Sequence, residues 1–488
     1  MSKKTKTPDW VIKDFSGGLN DKVDDNLIAD NESPDCQNVI ANKIGSLNKV
    51  LGSAKLNTLP LESAVQGLHS YYYGSYRKLI AVSNGRLYYW NTVGSAFSEI
   101  TLPVESYPEG LDTSASVYFE TLVNYAVGFN GKNKPFKVQW NETSSVFESS
   151  VLANAPADGQ FPCLFKEKLF TVPKSDPSTL VWSNSFAPET WEGVNYWDIA
   201  KGDGDVITNL TPYLGELTIF KRYSTHTIRG TYIDDFRYDE INPNVGCVGP
   251  RACVQEDTFL YFVADDGIYK YNGGTMENLT RPKIPNLWAT INNEYIGKAV
   301  AGRWEGLLWF ALPKDSNSFN NLVLLHDPLT GAWWPRTGLN ISCLAEYNTG
   351  SKTKFYSGSS LATSPYVAEQ WVGNNDLAGG TIADPGTKIT SYWKGKAFDM
   401  GNPAFQKKAK KMLVADGNNT NDAIPAISLD YGDYQELTYL DGDDLIRRFN
   451  CPSAWWRYFQ PKLTHDVIDK SFEVRGLTLQ YKAKGKAK

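Results

Sequence analysis

Along the chain a short apolar run, a polar turn and a second run rich in aromatic residues recur as a unit. It reads KLIAVSNGRLYYWN around Leu79, NYAVGFNGKNKPFKVQWN around Tyr125 and KLFTVPKSDPSTLVWSN around Leu169. It returns as ELTIFKRYSTHTIRG around Leu217, FLYFVADDGIYKYNGG around Leu260, LLWFALPKDSNSFNNLVLLHD around Leu308 and, more weakly, KFYSGSSLATSPYVAEQ around Phe355. Successive anchors lie 46, 44, 48, 43, 48 and 47 residues apart. Four short antiparallel strands with their turns occupy roughly 40 to 50 residues, so each repeat predicts one blade of a β-propeller. The middle of each unit is built to turn, as in Ser83-Asn84-Gly85 and Asp265-Asp266-Gly267. Runs such as Leu-Ile-Ala-Val and Leu-Tyr-Phe-Val do not alternate, which fits sheets buried on both faces between neighbouring blades. A pair of irregular β-sandwiches would accommodate the same strands but not their period. With no Trp-Asp or kelch signature in any repeat, the expected count is six to eight degenerate blades.

Outside the repeats the pattern changes. Residues 1–60 are polar and rich in Asn, Asp and Gly, with too little apolar periodicity for a core of their own, and read as an extended N-terminal arm lying on something else. A neighbouring subunit or the protein above it in an assembly is the expected support. Within the arm, SPDCQNVIANK from Ser33 to Lys43 predicts a short helix with Ser33 as cap and Pro34 in the first turn. The propeller is expected over 61–374. A Gly- and Asp-rich loop after residue 374 marks a boundary, and strand-like stretches such as KKMLVAD, AISLDYG and SFEVRGLTLQYKA predict a C-terminal β-sandwich over 375–488. The fold class is therefore all-β.

Composition sharpens this. Aromatic residues make up 13% of the 488 positions, with 40 Gly and 25 Pro, as expected of many short strands and tight turns. Net charge is -5, which removes the overall electrostatic footprint of a protein that grips nucleic acid. The start, MSKKTKTPDWVIKDF, has no apolar run of signal-peptide length, and no window reaches membrane-spanning length, so synthesis and folding in a cytoplasm are expected. Six scattered Cys (Cys36, Cys163, Cys247, Cys253, Cys343, Cys451) lack C-x-x-C spacing and read as buried free thiols. His69, His226, His326 and His465 form no metal-binding spacing, and no nucleophile elbow or phosphate loop occurs, so neither catalysis, metal nor cofactor is expected. GDGD at Gly202–Asp205 and DGDD at Asp441–Asp444 lack the 12-residue loop and terminal Glu of a Ca²⁺ hand and read as polar turns.

The segment Asp14–Gly52, with Gly17-Gly18-Leu19-Asn20, the acidic stretch before Glu32, Gln37-Asn38 and Gly45-Ser46-Leu47, resembles the N-terminal signature of tail tubular protein B, or nozzle, proteins of short-tailed bacteriophages. Val181–Gly230 and Tyr261–Gly274 are similar to propeller hairpins of the same broad set of tail and head-to-tail connector proteins, and Phe398–Val414 with RRFNCPSAWWRYFQ resembles their terminal β domain. The chain is shorter than many nozzle proteins, which leaves a pared-down nozzle, a tail hub and a related component of a long-tailed phage open. The resemblance implies a structural virion protein in a phage tail, made in the host cytoplasm. It implies a ring of copies, a hexamer in the family, that docks a head-to-tail adaptor or portal-proximal protein and tail fibre or other tail proteins. Viral DNA would pass through the lumen without tight binding.

Candidate partner-contact residues follow. From the arm signature these are Phe15, Gly17, Gly18 and Leu19. The basic run QKKAKK contributes Lys407, Lys408, Lys410 and Lys411, which read as contacts to an acidic protein surface rather than to phosphate. Trp455 and Trp456, like Trp333 and Trp334, supply large apolar area for packing or subunit interfaces. The alternative function is a propeller-type tail adhesin that recognises host glycans through such aromatic clusters.

Overall fold

Seven four-stranded antiparallel sheets follow one another along the chain among the described residues, and each is a propeller blade. The structure, a computed structural model, describes residues 9–41, 45–92, 95–230, 235–379, 384–417, 422–442 and 445–484. Blades 1 to 6 cover 65–100, 118–151, 163–198, 207–242, 253–278 and 300–337, each from four consecutive strands. Every anchor of the sequence repeat falls on the second strand of its blade, from Tyr76–Ser83 in blade 1 to Thr353–Ser359 in blade 7. The expected burial on both faces holds: Leu79 to Val82, Leu260, Phe262, Val263 and Leu308 to Leu312 are almost fully removed from solvent. At the blade 1 turn Asn84 and Gly85 both take positive φ, 51° and 72°, the type I′ geometry that matches strand twist.

Blade 7 is assembled from two distant parts of the chain. Its first three strands are Ile341–Asn348, Thr353–Ser359 and Val367–Gln370, and its outer strand is Ser53–Lys55 from the arm. The inner strand of blade 7 packs on that of blade 1, so the ring is closed at both its rim and its axis.

The C-terminal domain is a two-sheet sandwich that also borrows from the arm. Its larger sheet holds Lys407–Asp416 and Glu473–Ala483 at the centre, with arm strands Asp9–Ile12, Val39–Ile40 and Leu47–Lys49 added to it. Its smaller sheet pairs Ser391–Lys394, Phe459–His465 and Ile424–Leu429, with arm strand Cys36–Gln37 at the edge. Trp393, Met412, Val414, Trp456, Phe459, Leu477 and Leu479 fill the interior.

The helix expected from Ser33 to Lys43 is not formed. Its described part splits into strands in separate sheets, and Asn38 between them adopts φ 57°. The Ser33 hydroxyl donates to the carbonyls of Asp35 and Lys394 instead of capping a helix. Pairing with distant strands overrides a local signal worth about 1 kcal/mol.

Candidate functional site

The arm is held by its own chain along the described residues. Asp9–Ile12 joins the sandwich, and Phe15 packs edge-on against Trp393 at 5.0 Å between ring centres. Gly18, at φ 67°, lies against blade 6, where a Cβ would sit 2.8 Å from the backbone N and O of Trp333. Asp21 accepts the amides of Asn286 and Leu287 and so caps the short helix Pro285–Trp288 that follows blade 5. Glu32 accepts from Asn20, the amide of Ala29 and Lys283. Burial works against its charge, but these donors outweigh that and hold the carboxyl below its usual range.

Asn38 is the knot of this seam. Its amide nitrogen donates to the carbonyl of Thr390 at 2.8 Å, and its side-chain oxygen accepts from the Thr337 amide at 2.8 Å and from Arg336 at 3.3 Å. Arg336, in the outer strand of blade 6, forms a buried ion pair with Asp376 in the segment leading to the sandwich. The acidic residues of the arm reach the sandwich as well: Asp30 pairs with Lys396 at 2.9 Å and Asp25 accepts from Gln460 at 2.8 Å.

These positions correct several of the expected partner contacts. Phe15, Gly18 and Leu19 are buried and Gly17 is half-buried, so the arm signature serves intramolecular packing. In the basic run, Lys407 points inward: its ammonium donates to the carbonyls of Asp399 and Asn402 at 2.6 and 2.5 Å and lies 5.8 Å from the Trp456 ring. Trp456 is fully buried, as are Trp333 and Trp334. Strand alternation explains the split, because Lys407, Ala409 and Met412 face the interior across a bulge between Ala409 and Lys411. Lys408, Lys410 and Lys411 stay at the surface and make no ion pair among the described residues, while Trp455 keeps 41% of its surface exposed. Lys408 lies opposite Lys482 in the sheet, and the Lys484 ammonium sits 5.7 Å from the Trp455 ring.

The acidic turns hold protein donors. Asp203 pairs with the buried Lys221 at 2.6 Å, and Asp205 accepts the amides of Arg222 and Tyr223. Asp441 pairs with Arg448, while Asp443 and Asp444 lie outside the described residues. No group of three or more potential metal ligands occurs among the described residues. The four His are dispersed: His69 in blade 1, His226 in blade 4, His326 in blade 6 and His465 in the sandwich. Burial pushes His326 and His465 down to about 4. No described helix is long and apolar enough to cross a membrane.

Sequence reasoning missed the axis of the propeller. Arg251 precedes the inner strand of blade 5 and reaches across to the opposite side, where it donates to the carbonyls of Ser342, Gln66 and Val117 at 3.0, 3.0 and 2.7 Å. These acceptors belong to or adjoin the inner strands of blades 7, 1 and 2. The guanidinium also covers the Tyr118 ring at 4.6 Å. Arg251 also lines a cavity of about 230 Å³, whose wall is made by segments at the start of the inner strands and by the loops that follow the second strands of blades 6 and 7. No motif marks GPRACV; only closure of the ring brings this arginine to the axis.

No protein-family model matches the chain, and no curated protein matches it. Among solved structures, a streptogramin B lyase is similar over 66% of this chain and 97% of its own, at 10% identity and a TM-score of 0.44. The extracellular domain of a one-component system from B. thetaiotaomicron is similar over 83% of this chain and 47% of its own, at 9% identity and a TM-score of 0.44. YCF48 bound to D1 peptide is similar over 66% of this chain and 97% of its own, at 10% identity and a TM-score of 0.38. Likenesses this weak transfer no activity.

Proposed function

We propose that this chain is a structural virion protein of a bacteriophage tail, a nozzle or hub subunit. Its copies would form a ring around the DNA-ejection path and dock neighbouring tail proteins. The observation that carries this is the use made of the segment Asp14–Gly52. The residues that resemble the tail family are the ones that lace propeller to sandwich through Asp21, Glu32 and Asn38. A tail subunit works mechanically, without catalysis, and needs its two domains held as one body against load. Arg251 crosses the axis of each propeller, so the DNA path would lie between copies and not through a ring of blades. Negative-stain images of the purified protein test this. Rings with an open centre are expected, and a monomer that persists at tens of micromolar in light scattering and shows no ring overturns the proposal.

A further inference from the structure

The larger sheet of the sandwich turns one face to the interior and leaves the other toward solvent. Strand alternation and register fix what the outer face carries. At one end Lys482, Lys408 and Trp455 stand side by side across three adjacent strands. Further along lie Val11, Leu413 and Ile446, of which Val11 keeps 47% and Ile446 36% of its surface exposed. The half-buried Lys411, the exposed Lys410 in the bulge and Lys484, whose ammonium lies 5.7 Å from the Trp455 ring, add to the charge. None of these five lysines forms an ion pair among the described residues. The carboxylates on this side of the strands are Asp9 and Asp441, and Arg448 holds Asp441 at 3.1 Å. The face is therefore cationic, with an apolar middle and an exposed indole.

A surface of opposite character lies on the same chain. Where Ile424–Leu429 of the smaller sheet ends, a turn closed by the Gly432 amide on the Leu429 carbonyl carries Tyr431 at φ 62° with 59% of its surface exposed. Burial first, then the fields of Tyr458, Asp25, Asp24 and Asp399, push the Tyr431 phenol above its usual pKa, and Asp430 and Asp433 flank it in the chain. Asp25 accepts from Gln460, Asp399 from the Gly401 amide and Asp430 from the amides of Arg457 and Tyr458. None of the five carboxylates forms an ion pair among the described residues, and the exposed Arg457 beside Asp430 offsets one of them. Within one chain the lysines and the carboxylates do not meet. A second copy supplies to each set the charge that it lacks.

We propose that the outer face of the larger sheet docks a second copy of this chain, whose Tyr431 turn lays its carboxylates on Lys408, Lys410 and Lys482 and its ring beside Trp455. This rests on the reading of the chain as a ring-forming subunit and names the contact between its copies. Because the two surfaces differ, the contact can repeat from copy to copy and close a ring. Sedimentation of the full chain over a salt series tests it. Association should weaken at least about tenfold between about 0.05 M and about 0.5 M salt. Lys408→Glu, Lys410→Glu and Lys482→Glu together, and separately Asp24→Lys with Asp433→Lys, should each lower the association constant at least about tenfold, and an equimolar mixture of the two variants should recover it. Tyr431→Asn suits the left-handed backbone better than Tyr and should weaken association with a melting temperature unchanged or raised, so it decides where a charge reversal fails to fold. Association indifferent to these changes, or reversals that do not rescue each other, overturns the contact. Rings in negative stain that survive the reversals overturn the contact and leave the tail proposal standing. Association lost and rescued as expected, with no ring, keeps the contact and overturns the tail proposal. A chain that stays monomeric at tens of micromolar overturns both.

Discussion

At the scale of single residues, the seam depends on charges that only their partners make tolerable. Arg336 and Asp376 are both almost fully removed from solvent. Asp376→Asn leaves a buried guanidinium without its counter-charge and should cost about 3–5 kcal/mol in chemical denaturation. Replacing both with apolar residues of similar volume should cost less than either single change, since the desolvation penalty disappears with the pair. His465 behaves differently. It is 1% exposed, neither ring nitrogen has a partner, and burial followed by the nearby Lys49 charge holds its folded pKa down to about 4. The unfolded chain, near the ordinary value of 6.5, binds the proton first. Its contribution is therefore fully present above about pH 6.5 and is lost as pH falls toward 4. Melting temperature should drop between pH 7 and pH 5, and His465→Phe should make that slope shallower, with His69 and His326 supplying part of what remains; a parallel slope in the variant would remove His465 as a contributor. None of this was legible in the sequence, where a His or Arg on a strand has no visible partner until distant strands meet.

At the scale of elements, the arm differs most from its appearance. Its polar composition correctly signals a segment without its own core, and Phe15, Leu19, Ile28, Val39, Ile40 and Leu47 are nevertheless buried. Their partners are strands hundreds of residues away, so neither local periodicity nor composition reveals them. Removal of residues 1–50 would therefore take away part of the core and not only a docking arm. Burial of six such side chains at about 1.5–3 kcal/mol each is comparable with the whole ~5–15 kcal/mol stability of a domain. The truncated chain should fail to give a cooperative melt of the sandwich and should accumulate as aggregate; a soluble truncation with an unaltered melt would show that these strands are dispensable. The blades are the opposite case. Their hairpins are local, and so Leu79, Leu169 and Leu260 announce the second strands from sequence alone, whereas the outer strand of blade 7 comes from Ser53–Lys55 and is invisible to any repeat search.

At the scale of the whole molecule, the period of the repeat made the propeller legible, while the lacing that joins it to the sandwich and the arginine across its axis became visible only in three dimensions. Charge is the property that links this scale to the proposed conduit. A channel wall that neutralised many phosphates would hold DNA through counterion release, whereas passage requires weak contact. With a net charge of -5 per chain, a ring of copies carries a negative field overall. The exception is the basic surface of the half-buried Lys408 and Lys411 and the exposed Lys410 with Lys482, Lys484 and Trp455; Lys407 is excluded because its ammonium is committed to carbonyls inside the sandwich. Two lysines directly opposite each other in a sheet repel, which an acidic protein surface would relieve. The isolated protein should therefore show no tight binding to duplex DNA near physiological salt, and Lys408→Ala, Lys410→Ala and Lys411→Ala together should leave mobility shifts unchanged while weakening incorporation into tails. Submicromolar DNA binding that falls with rising salt and disappears in the triple variant would instead make this face a DNA clamp and overturn weak passage.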